Sequence, residues 1–159
     1  MNAPERRGAR VVIPPPLLFL AGMFAALGVH RVAPVDVLPA PIAGTTRVAG
    51  LVLAAAGVAF ALWGMITFLR AKTTVIPHHA VSNLVDGGPY RVTRNPMYVG
   101  LTAIYAGLAL AQNRLWPFAL LPLVLAILVV AVIRPEERYL EERFGEEYRA
   151  YKRRVRRFV

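Results

Sequence analysis

The chain has 159 residues, a mean hydropathy of +0.49, 57% hydrophobic residues and a formal net charge of +10. One domain, 1–159, fits that length, and the lack of any cysteine excludes disulfides, thiolate catalysis and Cys-based metal sites. The apolar residues fall in long runs, not short alternations, which excludes an ordinary soluble core and points to an all-α membrane bundle.

The first run, Val11 to Val29, is uncharged but contains Pro14-Pro15-Pro16, which confines the regular helix to about Leu17 onward and makes the crossing short or tilted. Arg6, Arg7 and Arg10 precede it in the order of a signal peptide. The length of the run, and the lack of a small-x-small cleavage site before His30-Arg31, favour a retained anchor. A Pro-containing connector, Ala33 to Thr46, leads to Val48–Leu69, which is 22 residues without a charge. At 1.5 Å per residue that run crosses a hydrocarbon core of roughly 30 Å. Residues 11–69 therefore form an N-terminal helical hairpin.

Arg70 to Pro96 carries too many polar groups and turn formers for lipid, where each unpaired backbone group costs several kcal/mol. Gly87-Gly88-Pro89 is a turn, and Pro96 is expected as the first helical residue, where a missing N–H costs nothing. The helix start after Asn95, with Arg94 beside it, attracts anions. Met97 to Ala111 is 15 residues, either a short span or a re-entrant segment. With Gln112 and Asn113 as the turn it makes a hairpin with Trp116–Ile133, 18 uncharged residues with Trp116 at an interfacial position. Beyond Pro135, the residues Leu140, Phe144, Tyr148 and Tyr151 recur at helical spacing and give a C-terminal amphipathic helix with an aromatic face. Such a helix suits a membrane surface. Six of the nine acidic residues lie in it, most of them in a solvated lattice with arginines. Glu136 and Glu137 stand apart, because a carboxylate at the membrane exit is partly desolvated and needs a cationic partner.

With four spans, the N-terminus, the 70–96 loop and the C-terminus share one side and carry 16 of the 19 Lys and Arg residues. The positive-inside rule then places both termini in the cytoplasm of a plasma or inner membrane. The charges cluster beside apolar spans without a nucleic-acid-binding motif, so anionic lipid headgroups are the expected partner and nucleic acid is not. His30, His78 and His79 include no helical pair at metal-ligand spacing, and His78-His79 are read as loop residues.

The run Leu84-Val85-x-x-Gly88-Pro89-Tyr90-Arg91-x-x-Arg94-Asn95-Pro96-Met97-Tyr98-x-Gly100 resembles the Gly-x-Tyr and Arg-His-Pro-x-Tyr-x-Gly motifs of the isoprenylcysteine carboxyl methyltransferase and phospholipid methyltransferase superfamily. Glu136-Glu137, Phe144-Gly145-Glu146-Glu147-Tyr148 and Tyr151 resemble its C-terminal pattern. The resemblance covers about residues 73 to 158. It implies a multi-pass methyltransferase that uses S-adenosyl-L-methionine at the cytoplasmic end of its last spans, on a lipophilic small-molecule or lipid acceptor. Carried over by position, the cofactor contacts are Ser82, Asn83, Leu84, Val85, Tyr90, Asn95, Pro96, Met97, Tyr98 and Glu136, within a cofactor-binding half, 70–159. Arg134 is the candidate on the substrate side. Asn95 stands where many members have histidine. Its amide can hydrogen-bond a cofactor but cannot accept a proton near pH 7, so a mechanism with a base there is disfavoured. No metal and no protein nucleophile is required. The acceptor class, whether carboxylate, amine or thiol, stays open, as does a non-catalytic membrane scaffold or accessory protein that retained the fold.

Overall fold

The computed structural model describes residues 13–39, 43–71 and 84–159. Every regular element among them is helical: α1 (Pro15–Val32), α2 (Ala43–Arg70), a 3-10 turn (Gly88–Arg91), α3 (Pro96–Ala111), α4 (Leu115–Leu128), a π turn (Val129–Ile133), α5 (Arg134–Phe144) and α6 (Glu146–Arg154). Among the described residues, three helical stretches hold a segment long and apolar enough to cross a membrane, namely Pro15–Val32, Gly44–Arg70 and Leu115–Phe144, the uncharged part of the last ending at Ile133. Pro96–Ala111 is apolar but shorter. Helix α1 begins two residues earlier than expected. Pro15 and Pro16 occupy the first turn, where an N–H would have no intrahelical acceptor, so the prolines start the helix instead of delaying it.

Helices α2 and α3 pack backbone to backbone. Gly50, Gly57 and Gly64 recur every seven residues on α2, and Gly100 and Gly107 do so on α3, so each set shares a helix face. A Cβ added at Gly57 would stand 2.7 Å from the Gly100 carbonyl oxygen and 2.8 Å from the Ile104 nitrogen. One at Gly107 would stand 2.6 Å from the Gly50 carbonyl oxygen. In lipid, where burying apolar side chains against one another gains little, such small-residue contact is what holds two helices together. Helices α1 and α4 make the second pair, through Leu18 and Phe19 against Val124 and Leu128, with Phe19 edge-on to Tyr105 of α3 at 6.1 Å between ring centroids.

One end of the bundle is closed by polar backbone. The connector after α1 meets the α3–α4 turn: Val37 N–H donates to Asn113 O at 3.1 Å, and Leu115 N–H donates to Val35 O at 3.0 Å. The Asn113 side chain accepts from Leu38 N–H at 3.0 Å and donates to Leu38 O at 2.8 Å. Asn113 has φ +54°, a left-handed turn that asparagine tolerates better than most residues.

The opposite end gathers residues 84–95 and the C-terminal segment. Arg134 N–H bonds Val129 O, five residues back, and this wide turn lies immediately before Pro135. A proline within a helix lacks its own N–H and crowds the preceding turn, and the π turn absorbs both effects without breaking the helix. The expected C-terminal amphipathic helix is two helices, because Gly145, at φ +54°, ends α5 and starts α6. Its aromatic face is not laid on a membrane surface. Tyr148 and Tyr151 pack with Val85, Tyr90 and Val155 in a buried cluster, flanked by Phe68, Leu84, Leu140 and Phe144.

Candidate active site

The 3-10 turn, the start of α3 and the start of α5 converge on one group of polar side chains. Gly88, at φ +57°, makes the turn that delivers Tyr90, and Tyr90 N–H closes it onto Gly87 O at 3.2 Å. The ring of Tyr90 is buried against Phe68, 6.1 Å between centroids, and its backbone carbonyl accepts a 2.7 Å bond from the Tyr151 hydroxyl. The Tyr90 hydroxyl itself is buried and has no hydrogen-bond partner among the described residues.

Tyr98 lies in the first turn of α3, and its hydroxyl donates to Glu136 Oε1 at 2.8 Å. Glu136 sits beyond Ile133, where the apolar stretch ends. Desolvation lifts its carboxyl from 4.5 to about 7, with the Tyr98 bond working against that rise and the neighbouring Glu137 charge adding to it. Burial also raises the Tyr90 phenol, and the Tyr151 and Glu136 charges raise it further. The Tyr98 hydroxyl therefore bonds a carboxyl that burial pushes up to about 7, and the Tyr90 phenol lies within electrostatic reach of it.

Glu137 points elsewhere. It accepts from Arg157 Nε at 3.0 Å and from Arg157 Nη2 at 2.7 Å, and Arg94 Nη1 lies 3.0 Å from its Oε1. Arg94 and Glu137 are both nearly buried, with side chains 10% and 11% exposed. Arg94 Nη1 makes an ion pair with Glu137 without hydrogen-bond alignment, and Arg94 Nε has no hydrogen-bond partner among the described residues. Arg94, which also bonds the Tyr148 hydroxyl, thus keeps donor capacity beside Glu137, the residue next to Glu136. Removing one member of so buried an ion pair costs about 3–5 kcal/mol, because the other charge stays behind.

Of the residues expected to form a cofactor site, Tyr90, Tyr98 and Glu136 come together, and Val85 lies in the aromatic cluster beneath Tyr90 with Leu84 at its edge. Pro96 is buried at the first position of α3, and Met97 follows it, half-buried. The Asn95 side chain has a structural task, since its Nδ2 donates to Arg157 O at 2.9 Å. Arg134 is exposed on the outer face of the helix, apart from these contacts. Ser82, Asn83, His78 and His79 lie outside the described residues. Sequence reasoning missed Thr93, which is fully buried and donates to Arg157 O at 2.9 Å, and it missed Arg157 itself. No spacing pattern links positions more than sixty residues apart. A separate cleft of about 320 Å³ is lined by Asp86, Arg91, Tyr151, Arg154 and Val155. Among the described residues no three His, Asp or Glu side chains gather as a metal site.

A family model for phospholipid methyltransferases matches residues 45–147. A cobalt-zinc-cadmium resistance protein, CzcN, of Cupriavidus metallidurans is 38% identical over 77 residues, a match covering 48% of this chain and 35% of that protein. The chain thus aligns with about a third of that relative's length. No solved structure matches. The family match runs from the start of α2 through the start of α6 and takes in both the glycine-packed helix pair and the Tyr98–Glu136 contact. This protein belongs to the phospholipid methyltransferase family, within the superfamily that also holds the isoprenylcysteine carboxyl methyltransferases.

Proposed function

We propose that this protein is an integral-membrane, S-adenosyl-L-methionine-dependent methyltransferase acting on a lipophilic or membrane-associated acceptor, with Glu136 as the central cofactor contact. One observation carries the reading. A carboxyl bonded to Tyr98, within electrostatic reach of a buried Tyr90 hydroxyl that has no hydrogen-bond partner among the described residues, stands at the end of the bundle where an apolar span gives way to polar chain.

The residues fit the cofactor's chemistry. Glu136 suits its ribose hydroxyls or cationic groups, the spare donors of Arg94 suit its carboxylate, and Leu84, Val85 and Tyr90 offer apolar surface to the base. When bound, the cofactor supplies an electrophilic methyl group on a sulfonium. The contribution of the chain is positioning and exclusion of water, and orientation of that kind is worth up to about 7–11 kcal/mol of a barrier. With α3 as a fourth, short crossing, both termini and the site lie on the cytoplasmic side, where the cofactor is made. The 16 to 3 distribution of Lys and Arg supports that orientation.

Calorimetric titration of S-adenosylmethionine and S-adenosylhomocysteine into the detergent-purified protein tests the reading. Saturable binding is expected, at least tenfold weaker in Glu136→Gln, a loss of about 1.4 kcal/mol. Absence of binding to folded protein would leave a membrane scaffold that keeps the fold without the chemistry.

A further inference from the structure

We infer that the segment after α6, Val155 to Arg157, forms a strap that sets the geometry of the Tyr98–Glu136 pair, with Arg157 as its positioning residue. The inference deepens the proposed function, since it concerns the same site.

The strap reaches the start of α3 by three hydrogen bonds to its backbone carbonyls. Arg94 N–H donates to Arg156 O at 2.9 Å, Thr93 Oγ1 donates to Arg157 O at 2.9 Å, and Asn95 Nδ2 donates to the same Arg157 O at 2.9 Å. Val155 anchors the strap in the aromatic cluster. The Arg157 side chain then turns the other way and grips both oxygens of Glu137 on α5. One residue therefore joins the α3 start through its carbonyl to the α5 start through its guanidinium. Tyr98 lies three residues past Asn95, and Glu136 lies one residue before Glu137. Successive helical residues point about 100° apart. With Glu137 held by Arg157 and Arg94, Glu136 is turned toward Tyr98.

This arrangement differs from ordinary surface pairing. The exposed pairs of α6, such as Arg153 with Glu146 at 2.8 Å, join side chains that are 65% and 67% open to solvent. Pairs of that kind contribute little. Glu137 is 11% exposed and is met by two guanidinium groups, and a bidentate contact fixes direction as well as distance. Arg157 touches neither Tyr98 nor Glu136 among the described contacts, so it acts through Glu137 and the α3 start.

Hydrogen exchange by mass spectrometry on the full chain in nanodiscs, without cofactor, tests the strap directly. Cofactor affinity across pH is the second readout. Arg157→Ala should speed exchange across residues 93–99 and leave the α2–α3 glycine contact protected. It should also weaken S-adenosylmethionine binding at least about tenfold and shift the pH midpoint of that binding. Arg157→Lys keeps the charge and the backbone carbonyl but loses the fork, and it should recover part of both losses. Arg153→Ala removes the same charge from an exposed pair and should match the wild type. Unchanged exchange across 93–99 in Arg157→Ala would overturn the strap, as would equal effects of Arg153→Ala. If the wild type binds no cofactor, the proposed function fails, while the exchange readout still decides the strap.

Discussion

Glu136 carries the sharpest consequence at the scale of single residues. Burial pushes its carboxyl up to about 7, which sets the sign of the pH effect. In the cofactor-free protein the folded pKa lies above the ordinary carboxyl value of 4.5, so the folded state holds the proton more tightly than the unfolded one. The stabilisation from that proton is complete below the unfolded value and is lost as the pH rises through about 7. The melting temperature without cofactor should therefore fall between about pH 5 and about pH 8, with a smaller fall in Glu136→Gln. Cofactor binding runs the other way. The ionised form attracts cations and accepts more hydrogen bonds, so affinity should climb with pH through the same range, and titrations at several pH values would show it. Tyr98→Phe removes the bond that holds the carboxyl pKa down, so the midpoint of that climb should move upward and affinity at neutral pH should drop. An unmoved midpoint would mean that the tyrosine does not govern the charge. The sequence made Tyr90, Tyr98 and Glu136 legible as candidates, because they stand in a recognisable motif beside an apolar run. The residues alone did not divide the labour between Glu136 and Glu137, and only the family resemblance singled out Glu136. That division depends on helix rotation, which the π turn sets.

At the scale of helices, the α2–α3 seam should tolerate no side chain. Gly57→Leu or Gly100→Val would press carbon into the backbone of the facing helix, where nothing can move aside, at a cost of at least about 1–3 kcal/mol. Gly28 of α1 has open space around it, so Gly28→Ala should be nearly neutral. Thermal unfolding in detergent, followed by size-exclusion recovery, separates the two outcomes. Equal recovery of both variants would show that the seam is not the main contact. The apolar runs alone announced α1, α2 and α4. The seven-residue glycine repeat was present in the sequence but pointed to no partner, since the spacing of one helix does not say which other helix it meets. The break at Gly145 was likewise hidden in a continuous amphipathic pattern. Aromatic residues on both sides of it face the same cluster, so the periodicity survives the turn.

For the whole molecule, a chain without cysteine is already a background for single-cysteine labelling. Cysteines placed at Asp86 and at Val159 should react with a membrane-impermeant maleimide from the cytoplasmic side only, and one at Val35 from the opposite side only. Labelling of residue 159 from outside would invert the bundle and separate the site from its cofactor supply. The fold supplies an internal reason to expect the first result. The backbone bonds between the α1–α2 connector and the α3–α4 turn gather the sparsely charged loops at one end, and the arginine-rich segments meet at the other.

The π turn at Val129–Ile133 also bears on how such a chain can change over generations. A helix that gains one residue in a turn carries everything after it about 100° further around its axis. Apolar substitutions of similar volume among these residues leave the turn in place. Deleting one of them would let the turn relax to an ordinary α-helix and swing α5 and α6 together away from the start of α3. Glu136 would lose Tyr98, and Glu137 would lose both of its arginines, with every residue name in the site unchanged. In this part of the chain the number of residues, and not only their kind, holds the site together.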